Sequence, residues 1–252
     1  MELADKVCLI AGSSGAIGTS VAALFQHQGA KLVLTHLTSK TPETVIDEHK
    51  CNSQPFEFAL DITDWQDVQD AVSRVIAKYC RIDILVNCTG VLGPIGPTAE
   101  LSPDEWVRAI GVNLIGSFYL TRAVLPPMLA QRAGKIIHFS GGGAAYARPF
   151  CTAYSSSKAA LVRFTESVAA EVQESRIDIN IIAPGPVYSR MWNQMREAGD
   201  KGGKANAEEL KKMEVEPFLP VEKKLIAWSI ILGVVLLGFL VWTSYKFFPA
   251  GH

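Results

Sequence analysis

The segment Lys6-Val-Cys-Leu-Ile-Ala-Gly-Ser-Ser-Gly-Ala-Ile-Gly18 decides the fold of this chain. It opens with a short apolar run that is typical of a buried strand, and it continues through three evenly spaced glycines into a helix-forming stretch. Gly12 permits a tight turn, Gly15 lets the backbone approach a phosphate, and Gly18 allows a helix to pack closely on the strand. The pattern therefore predicts a phosphate-binding turn at the N-terminus of a helix over residues 16–28.

Strand and helix patterns alternate along the chain that follows. Strands are predicted at residues 6–10, 31–36, 56–60, 82–86, 135–139 and 177–182. Helices are predicted at residues 16–28, 42–50, 64–80, 103–131 and 152–174. Six strands separated by helices predict an α/β fold, a Rossmann-like, doubly wound parallel sheet with right-handed crossovers.

Polar and glycine motifs directly follow most of the predicted strands. They are the glycine turn after the first, Asp61-Ile62 after the third, Asn87-Cys88-Thr89-Gly90 after the fourth, Ser140 after the fifth and Pro184-Gly185 after the sixth. Ligands of doubly wound sheets bind at the carboxyl ends of the strands, where the strand order reverses. These motifs therefore predict one binding site at this edge of the sheet.

The motif Tyr154-Ser-Ser-Ser-Lys158 lies in a predicted helix and places a phenol and an ammonium one helical turn apart on the same face. A tyrosine with a pKa of about 10 does little acid–base work near neutral pH unless a nearby positive charge stabilises its phenolate. A lysine at this spacing supplies that charge. Taken alone, the pattern is common on solvated helix faces. Its occurrence together with the other motifs favours a catalytic role.

Taken together, these motifs resemble the short-chain dehydrogenase/reductase (SDR) family over residues 1–191. The resemblance implies a nicotinamide-dependent oxidoreductase in which Tyr154 is the general acid/base, while Lys158 lowers the pKa of Tyr154 and holds the nicotinamide ribose. Asn113 would carry a water that links Lys158 to solvent, and Asp61 would contact the adenine. The catalytic residues implied are Asn113, Ser140, Tyr154 and Lys158. The cofactor-binding residues implied are Gly12, Ser14, Gly15, Ile17, Gly18, His36, Asp61, Ile62, Asn87, Gly90, Tyr154, Lys158, Pro184, Gly185, Val187 and Ser189.

One position departs from the family pattern. The family places a substrate-orienting serine thirteen residues before the tyrosine, and that position here is Gly141, with Ser140 one residue earlier. Either the glycines at 141–143 let the loop shift so that Ser140 donates the hydrogen bond, or the donor is missing and the chemistry is weakened or altered. We favour the shift. A donor aimed at a developing oxyanion contributes a few kcal/mol, so its loss slows turnover without abolishing it.

The cofactor preference depends on the end of the second strand, where a carboxylate would bind the ribose of NAD and repel the additional phosphate of NADP. The stretch after Leu34 holds no carboxylate, and four of its side chains are able to accept a phosphate: His36, Thr38, Ser39 and Lys40. No arginine is present to clamp it. We therefore predict NADP over NAD, while His36 is equally well explained as a strand-end histidine without a ligand.

Residues 225–245 contain no charged side chain, and they are apolar around the whole helix that they would form. Such a helix would span about 30 Å, the thickness of a bilayer core. Trp228, Trp242 and Tyr245 lie near its ends, with lysines on both flanks. A helix buried in the protein core is the alternative. The predicted organisation is a catalytic domain at 1–193, a polar linker at 194–222 and a membrane anchor with a short tail at 223–252.

No seventh strand is predicted after Met191, although the family continues with one. The segment from 192 to 212 is polar, with a flexible break at 199–204 and a short charged helix at 207–213. The sixth strand would then expose an edge or an apolar face. This edge or face would be covered by a second copy of the chain in a homo-oligomer, by another partner, by the membrane surface or by the linker. A splice form or an incomplete gene would also produce a chain without the seventh strand.

The composition fits one globular domain with an anchor. With 24 basic and 25 acidic residues and no basic stripe, nothing favours nucleic acid as a partner. The cysteines have neither metal-binding spacing nor a disulfide framework, so no metal is predicted; they are Cys8, Cys51, Cys80, Cys88 and Cys151. Cys151 is more simply a packing residue than a reactive one. No signal peptide precedes the domain, and the lysine-rich flank predicts that the domain stays on the cytoplasmic side of a single-pass membrane.

These observations predict a membrane-anchored oxidoreductase that transfers a hydride between a nicotinamide cofactor and a ketone or secondary alcohol. Anchoring at a bilayer favours an apolar or lipid-like substrate. A nucleotide-binding sensor or scaffold that has lost turnover through Gly141 is the main alternative. A membrane protein whose soluble domain only contacts partners is the third.

Overall fold

Six parallel strands form one sheet in the order β3-β2-β1-β4-β5-β6. The computed structural model describes residues 2–37, 54–185 and 187–202. The strands are β1 Val7–Ala11, β2 Lys31–His36, β3 Phe56–Ala59, β4 Ile84–Asn87, β5 Gly134–Phe139 and β6 Ile177–Ile182. The chain runs outward from β1 to β3 and then returns to β4 on the other side of β1, so the strand order reverses between β1 and β4. The predicted sheet is confirmed over the described residues.

Helices and short helical turns connect the strands. The α-helices are α1 Ala16–His27, α2 Trp65–Tyr79, α3 Pro103–Ile110, α4 Gly116–Gln131, α5 Thr152–Glu171 and α6 Arg190–Gly202. A π-helical turn, Gly111–Ile115, separates α3 from α4, and 3-10 turns lie at Thr98–Glu100 and Gly142–Ala144. The ends of β2 and β6 match the sequence prediction, and the ends of the other elements differ from it by at most three residues. The predicted helix at 42–50 lies outside the described residues.

Both faces of the sheet are buried, which explains why β1 reads as an unbroken apolar run. Alternate residues of β1 enter two cores because successive side chains of a strand point to opposite faces. Leu9 joins a core with residues of α2 and α4, among them Val68 and Leu120. Ile10 joins the core on the other face with Ala22 of α1. Because β1 lies in the middle of the sheet and is buried on both faces, its carboxyl end has a fixed position.

The region predicted as one helix at 103–131 is divided in the structure. Ser102 caps its start by accepting a hydrogen bond from the Glu105 amide at 3.4 Å, and the π-helical turn then widens it around Asn113. A π-helical turn inside an α-helix often marks a functional position. By length and composition alone, Pro103–Gln131 would also qualify as a membrane span. Leu120, Val124 and Met128 of this span pack in the core of the domain together with residues of the sheet and of α2.

The segment after β6 differs from its prediction. Helix α6 continues to Gly202, where the sequence predicted a polar linker with a break from Gly199. Apolar side chains explain the difference, because Trp192 is buried and Met195 packs on a cluster formed by Leu92, Cys151 and Tyr154. The compact unit extends over Met1–Ala207. The charged helix predicted at 207–213 and the apolar stretch at 225–245 lie outside the described residues.

Candidate active site

The glycine turn follows β1, at the point where the strand order reverses. Gly12 has a φ of +76°, in the left-handed region that favours glycine. A Cβ atom on Gly18 would stand 2.3 Å from the Gly12 carbonyl oxygen, so only glycine lets α1 approach the turn this closely. Gly15 is the N-cap of α1, without a side-chain cap, and the first turn of the helix holds no acidic residue. This helix end therefore suits an anion such as a phosphate.

A cleft of about 950 Å³ opens beside this turn. The residues after β4 and the segment that leads into α6 form its other walls. Six of the predicted cofactor-binding residues line it: Ser14, Gly15, Ile17, Gly90, Val187 and Ser189. Its volume is within the range of small-molecule and cofactor sites, about 300 to 1,000 Å³.

Asn113 links the loop after β4 to α5. The side chain is fully buried, and its Oδ1 accepts a hydrogen bond from the Val91 amide at 2.8 Å. Its Nδ2 donates to the Val91 carbonyl oxygen and to Ser157 Oγ, both at 2.9 Å. A Cβ atom on Gly90 would lie 3.4 Å from both Asn113 Oδ1 and Lys158 Nζ. The structure thus brings Gly90, Asn113 and Lys158 together at the wall of the cleft.

Lys158 is buried at the carboxyl end of β5. Its Nζ donates a hydrogen bond to the Phe139 carbonyl oxygen at 2.7 Å. Burial lowers the pKa of Lys158 to about 8, and a negative charge on Cys88 would oppose that change. Burial also raises the pKa of Cys88 to about 12, so this thiol stays protonated at neutral pH. The ammonium is therefore the charged group of this pair near neutral pH.

Tyr154 lies one turn before Lys158 on α5, and its side chain is 7% exposed. The Lys158 Nζ atom is 6.0 Å from the centre of the Tyr154 ring. Burial raises the pKa of Tyr154 above its ordinary value, while the Arg148 charge lowers it and Cys151 raises it. Burial has the larger effect, so the pKa of the phenol lies above its ordinary value, and a lowering of this pKa by Lys158 stays a prediction.

The loop directly after β5 begins with Ser140 and Gly141, and it lies next to Tyr154. A Cβ atom on Gly141 would stand 2.2 Å from the Tyr154 hydroxyl oxygen, so this hydroxyl fills the space of a side chain at position 141. The Ser140 hydroxyl is buried without a hydrogen-bond partner among the described residues. The structure places Ser140 beside the site but gives it no hydrogen bond to Tyr154. Recruitment of its hydroxyl therefore stays a prediction that requires a rearrangement.

The family model for short chain dehydrogenase matches residues 6–200, which are most of the chain and include every motif described above. This chain belongs to the short-chain dehydrogenase family. The chain is therefore an oxidoreductase of the short-chain dehydrogenase type.

Individual relatives of this short-chain dehydrogenase support the assignment. The 2,3-dihydro-2,3-dihydroxybenzoate dehydrogenase of Bacillus subtilis is 34% identical over 236 residues, covering 92% of this chain and 87% of that protein. The 3-oxoacyl-acyl-carrier-protein reductase FabG of Thermotoga maritima is 31% identical over 198 residues, covering 78% and 80%. Among solved structures, the actinorhodin polyketide ketoreductase with NADPH has a TM-score of 0.73 at 27% identity, covering 78% of this chain and 77% of that one.

The residues present fit a nicotinamide dinucleotide. The uncapped start of α1 and the close approach of Gly12 and Gly18 form a cradle for a pyrophosphate. The cleft continues from this cradle to Gly90, beside Lys158. The cofactor of this short-chain dehydrogenase is NAD or NADP.

Several residues predicted to bind cofactor do not line the cleft of this dehydrogenase. His36 is buried, with its Nδ1 atom 3.4 Å from Glu57 Oε1, although without the geometry of a hydrogen bond. Asp61 Oδ1 accepts hydrogen bonds from the Thr63 amide at 2.9 Å and the Thr63 hydroxyl at 2.7 Å. The others are Gly12 and Gly18 of the glycine turn, Ile62, which packs on Gly116, the buried Asn87, Tyr154 and Lys158, and Pro184 and Gly185, which follow β6. Thr38, Ser39 and Lys40 lie outside the described residues.

A buried polar network around His138 was not predicted. Thr121 Oγ1 donates to the Ser117 carbonyl oxygen at 2.8 Å, so it accepts from His138 Nε2 at 3.1 Å. His138 Nδ1 then accepts from Asn87 Nδ2 at 3.3 Å. Burial, with a smaller effect of Lys158, lowers the pKa of His138 to about 4, so the imidazole is neutral. Because His138 lies within an apolar strand pattern, no spacing in the sequence points to this network.

The sequence reasoning also missed charged residues around the cleft. Glu105 and Arg108 reach it from α3, and Arg190 reaches it from α6. Arg148 lies between the 3-10 turn after β5 and α5, where its charge acts on Tyr154. None of these arginines belongs to a recognisable motif. Only the fold brings them to the carboxyl edge of the sheet.

Proposed function

We propose that this protein transfers a hydride between NADP(H) and a ketone or secondary alcohol. The observation that carries the proposal is the convergence of Tyr154, Lys158 and Asn113 beside a cleft that begins at the glycine turn. When bound, the nicotinamide supplies or accepts the hydride. The chain has to position the cofactor and move one proton.

Tyr154 is the group that moves the proton in this proposal. In the direction of reduction, its hydroxyl gives the proton to the substrate oxygen, and in oxidation its phenolate accepts it. Lys158 holds the ribose with its ammonium, which the Phe139 carbonyl oxygen aims towards Gly90. Asn113 fixes the loop after β4 through both of its hydrogen bonds to Val91. These contacts position the proton donor before substrate arrives.

The preference for NADP rests on the sequence around the end of β2, where residues 35–40 contain no carboxylate to repel a phosphate. The NADPH-bound ketoreductase with a similar structure is consistent with this preference. His36 is unsuited to a direct contact with the phosphate, because its side chain is buried near Glu57. The proposed phosphate contacts therefore come from Thr38, Ser39 and Lys40.

An apolar substrate is supported by the side chains near Tyr154. Leu92 and Cys151 form a buried cluster with Tyr154, and Ile95 and Met191 pack against it. Ile95 and Met191 also line the cleft. We propose that the apolar end of the cleft receives a lipid-like carbonyl compound, and that residues 225–245 anchor the domain on the cytoplasmic side of the membrane from which this substrate comes.

A nucleotide-binding protein without turnover is the second candidate. The observations that favour it are the glycine at position 141 and the absence of a hydrogen bond between Ser140 and Tyr154. Such a protein would keep the glycine turn and the cleft, and it would bind NADPH without reducing a carbonyl compound.

One assay separates the two candidates. Purified protein is mixed with NADPH or NADH and a panel of ketones that ranges from polar to lipid-like, and the absorbance of reduced nicotinamide at about 340 nm is followed. The proposed enzyme consumes NADPH with at least one apolar ketone. Binding of NADPH, measured by its fluorescence, without consumption across the panel would favour the nucleotide-binding protein.

A further inference from the structure

The catalytic edge carries an arginine that no family motif supplies. Arg148 lies in the loop between Gly142–Ala144 and α5. Its Nη1 lies 3.4 Å from Met195 Sδ, and its Nη2 lies 3.6 Å from the place where Gly142 would carry a Cβ atom. Met195 packs on the cluster that contains Tyr154. The guanidinium is thus held between the glycine loop and α6, on the side of Tyr154.

A backbone hydrogen bond also connects Arg148 to the start of α5. The Arg148 carbonyl oxygen accepts a hydrogen bond from the Cys151 amide at 3.3 Å, and Cys151 is the N-cap of α5. Tyr154 follows in the first turn of that helix. On the opposite side, the Tyr154 hydroxyl fills the space beside Gly141. A short loop therefore ties the arginine to the same helix end that presents the phenol.

Among the described residues, Lys158 and Arg148 are cations near Tyr154 that could stabilise a phenolate. Cys88, directly after β4, stays protonated, with a pKa of about 12, and His138 from β5 stays neutral, with a pKa of about 4. Cys151 raises the pKa of Tyr154. Lys158 donates its hydrogen bond to Phe139. Among the neighbouring charges, Arg148 has the largest effect on the Tyr154 phenol, and it favours the phenolate.

We propose that Arg148 stabilises the Tyr154 phenolate in the reaction and compensates for the serine that position 141 lacks. This inference rests on the proposed function, in which Tyr154 moves the proton. In reduction, a hydride from NADPH bonds to the carbonyl carbon while the Tyr154 O–H bond breaks and its proton joins the carbonyl oxygen. The products are the alcohol, the oxidised cofactor and a phenolate, and the positive charge of Arg148 would stabilise that phenolate. Solvent protonates it before the next turnover.

The test measures the ionisation of the phenol directly. A fluorinated tyrosine, which ionises at lower pH than tyrosine, is incorporated at position 154, and its fluorine NMR signal is titrated in the cofactor-free protein. We expect Arg148→Gln to raise the pKa of this phenol by about 1, as loss of a nearby opposite charge does. Arg148→Lys keeps the positive charge, so the pKa of the phenol in this variant should stay close to that in the unmodified protein. Arg163→Gln is the matched control, because Arg163 lies on α5 with its side chain 81% exposed.

Turnover gives the second measurement. Arg148→Gln should lower kcat about tenfold at neutral pH without changing the affinity for NADPH, because the lost stabilisation belongs to the proton-transfer step. An identical titration curve in Arg148→Gln and the unmodified protein would overturn the inference. The titration needs no substrate, so absence of turnover with every ketone would contradict the proposed function while the Arg148–Tyr154 interaction is still measured.

Discussion

The Tyr154 hydroxyl oxygen lies 2.2 Å from the point where Gly141 would carry a Cβ atom. The backbone of Gly141 is extended, with φ −172° and ψ 169°, so its conformation is open to any residue. The need for glycine therefore comes from the neighbouring phenol and not from the backbone. In this protein the phenol occupies the space that a side chain at position 141 would need.

Restoring a serine should consequently harm the enzyme. We expect both Gly141→Ser and Gly141→Ala to displace Tyr154 and to lower kcat tenfold or more, because a new Cβ atom in a packed site costs about 1 to 3 kcal/mol. Steady-state kinetics and thermal unfolding of both variants check this expectation. Higher activity in Gly141→Ser than in the unmodified protein would mean that the phenol relocates easily and accepts the serine as a partner.

Removal of the phenol oxygen tests the assigned proton donor. Tyr154→Phe keeps the ring in its cluster with Leu92 and Cys151, so we expect NADPH to bind with nearly unchanged affinity while turnover falls at least a hundredfold. Lys158→Ala should weaken both cofactor binding and turnover. Fluorescence titration of NADPH and the ketone assay provide the two measurements. Full turnover by Tyr154→Phe would show that another group donates the proton.

Ser140→Ala addresses the buried hydroxyl. Because the Ser140 hydroxyl has no hydrogen-bond partner among the described residues, its removal should leave the free energy of unfolding equal or slightly higher. Urea unfolding measures this. A loss of about 1 kcal/mol or more would show that the hydroxyl has a partner in solution. A hundredfold fall in turnover without a change in stability would place it on the substrate and support the predicted loop shift.

The sheet, the glycine turn and the placement of Tyr154 and Lys158 on one helix were predictable because they depend on local patterns. Buried parallel strands read as apolar runs, and the glycine turn and the Tyr154–Lys158 pair have fixed spacings in the chain. The helix boundaries at Asp64 and Ser102 also follow from capping side chains. Such features need no knowledge of distant contacts.

The electrostatics of the site were not predictable from spacing. Lys158 stands one turn from Tyr154, yet its ammonium donates to Phe139 and burial raises the pKa of the phenol. Arg148 contacts Met195 of α6, and His138 contacts Phe164 of α5, so the position of each depends on an element that is distant in sequence. The extent of α6 was missed for the same reason, since Met195 packs on residues far away in sequence.

The neutral His138 should make stability depend on pH. Unfolding exposes an imidazole with its ordinary pKa of about 6.5, so below that pH the unfolded chain binds a proton that the folded protein refuses until about pH 4. The free energy of unfolding should therefore fall by up to about 3 kcal/mol between pH 6.5 and 4. We expect His138→Gln to lack this part of the pH dependence. Equal pH profiles of the two proteins in urea unfolding would contradict a neutral, buried His138.

The proposed anchor rests on the stretch at 225–245, which carries no charge and has lysines before and after it. We expect the full-length protein to stay in the membrane fraction after an alkaline carbonate wash. Val235→Arg places a cation near the middle of the stretch at a cost of about 2.5 to 3.5 kcal/mol for insertion, and it should move the protein into the soluble or aggregated fraction. Val235→Leu is the matched control and should behave like the unmodified chain. Recovery of the unmodified protein as a single detergent-free species in the soluble fraction would exclude the anchor and favour burial of this stretch within the protein.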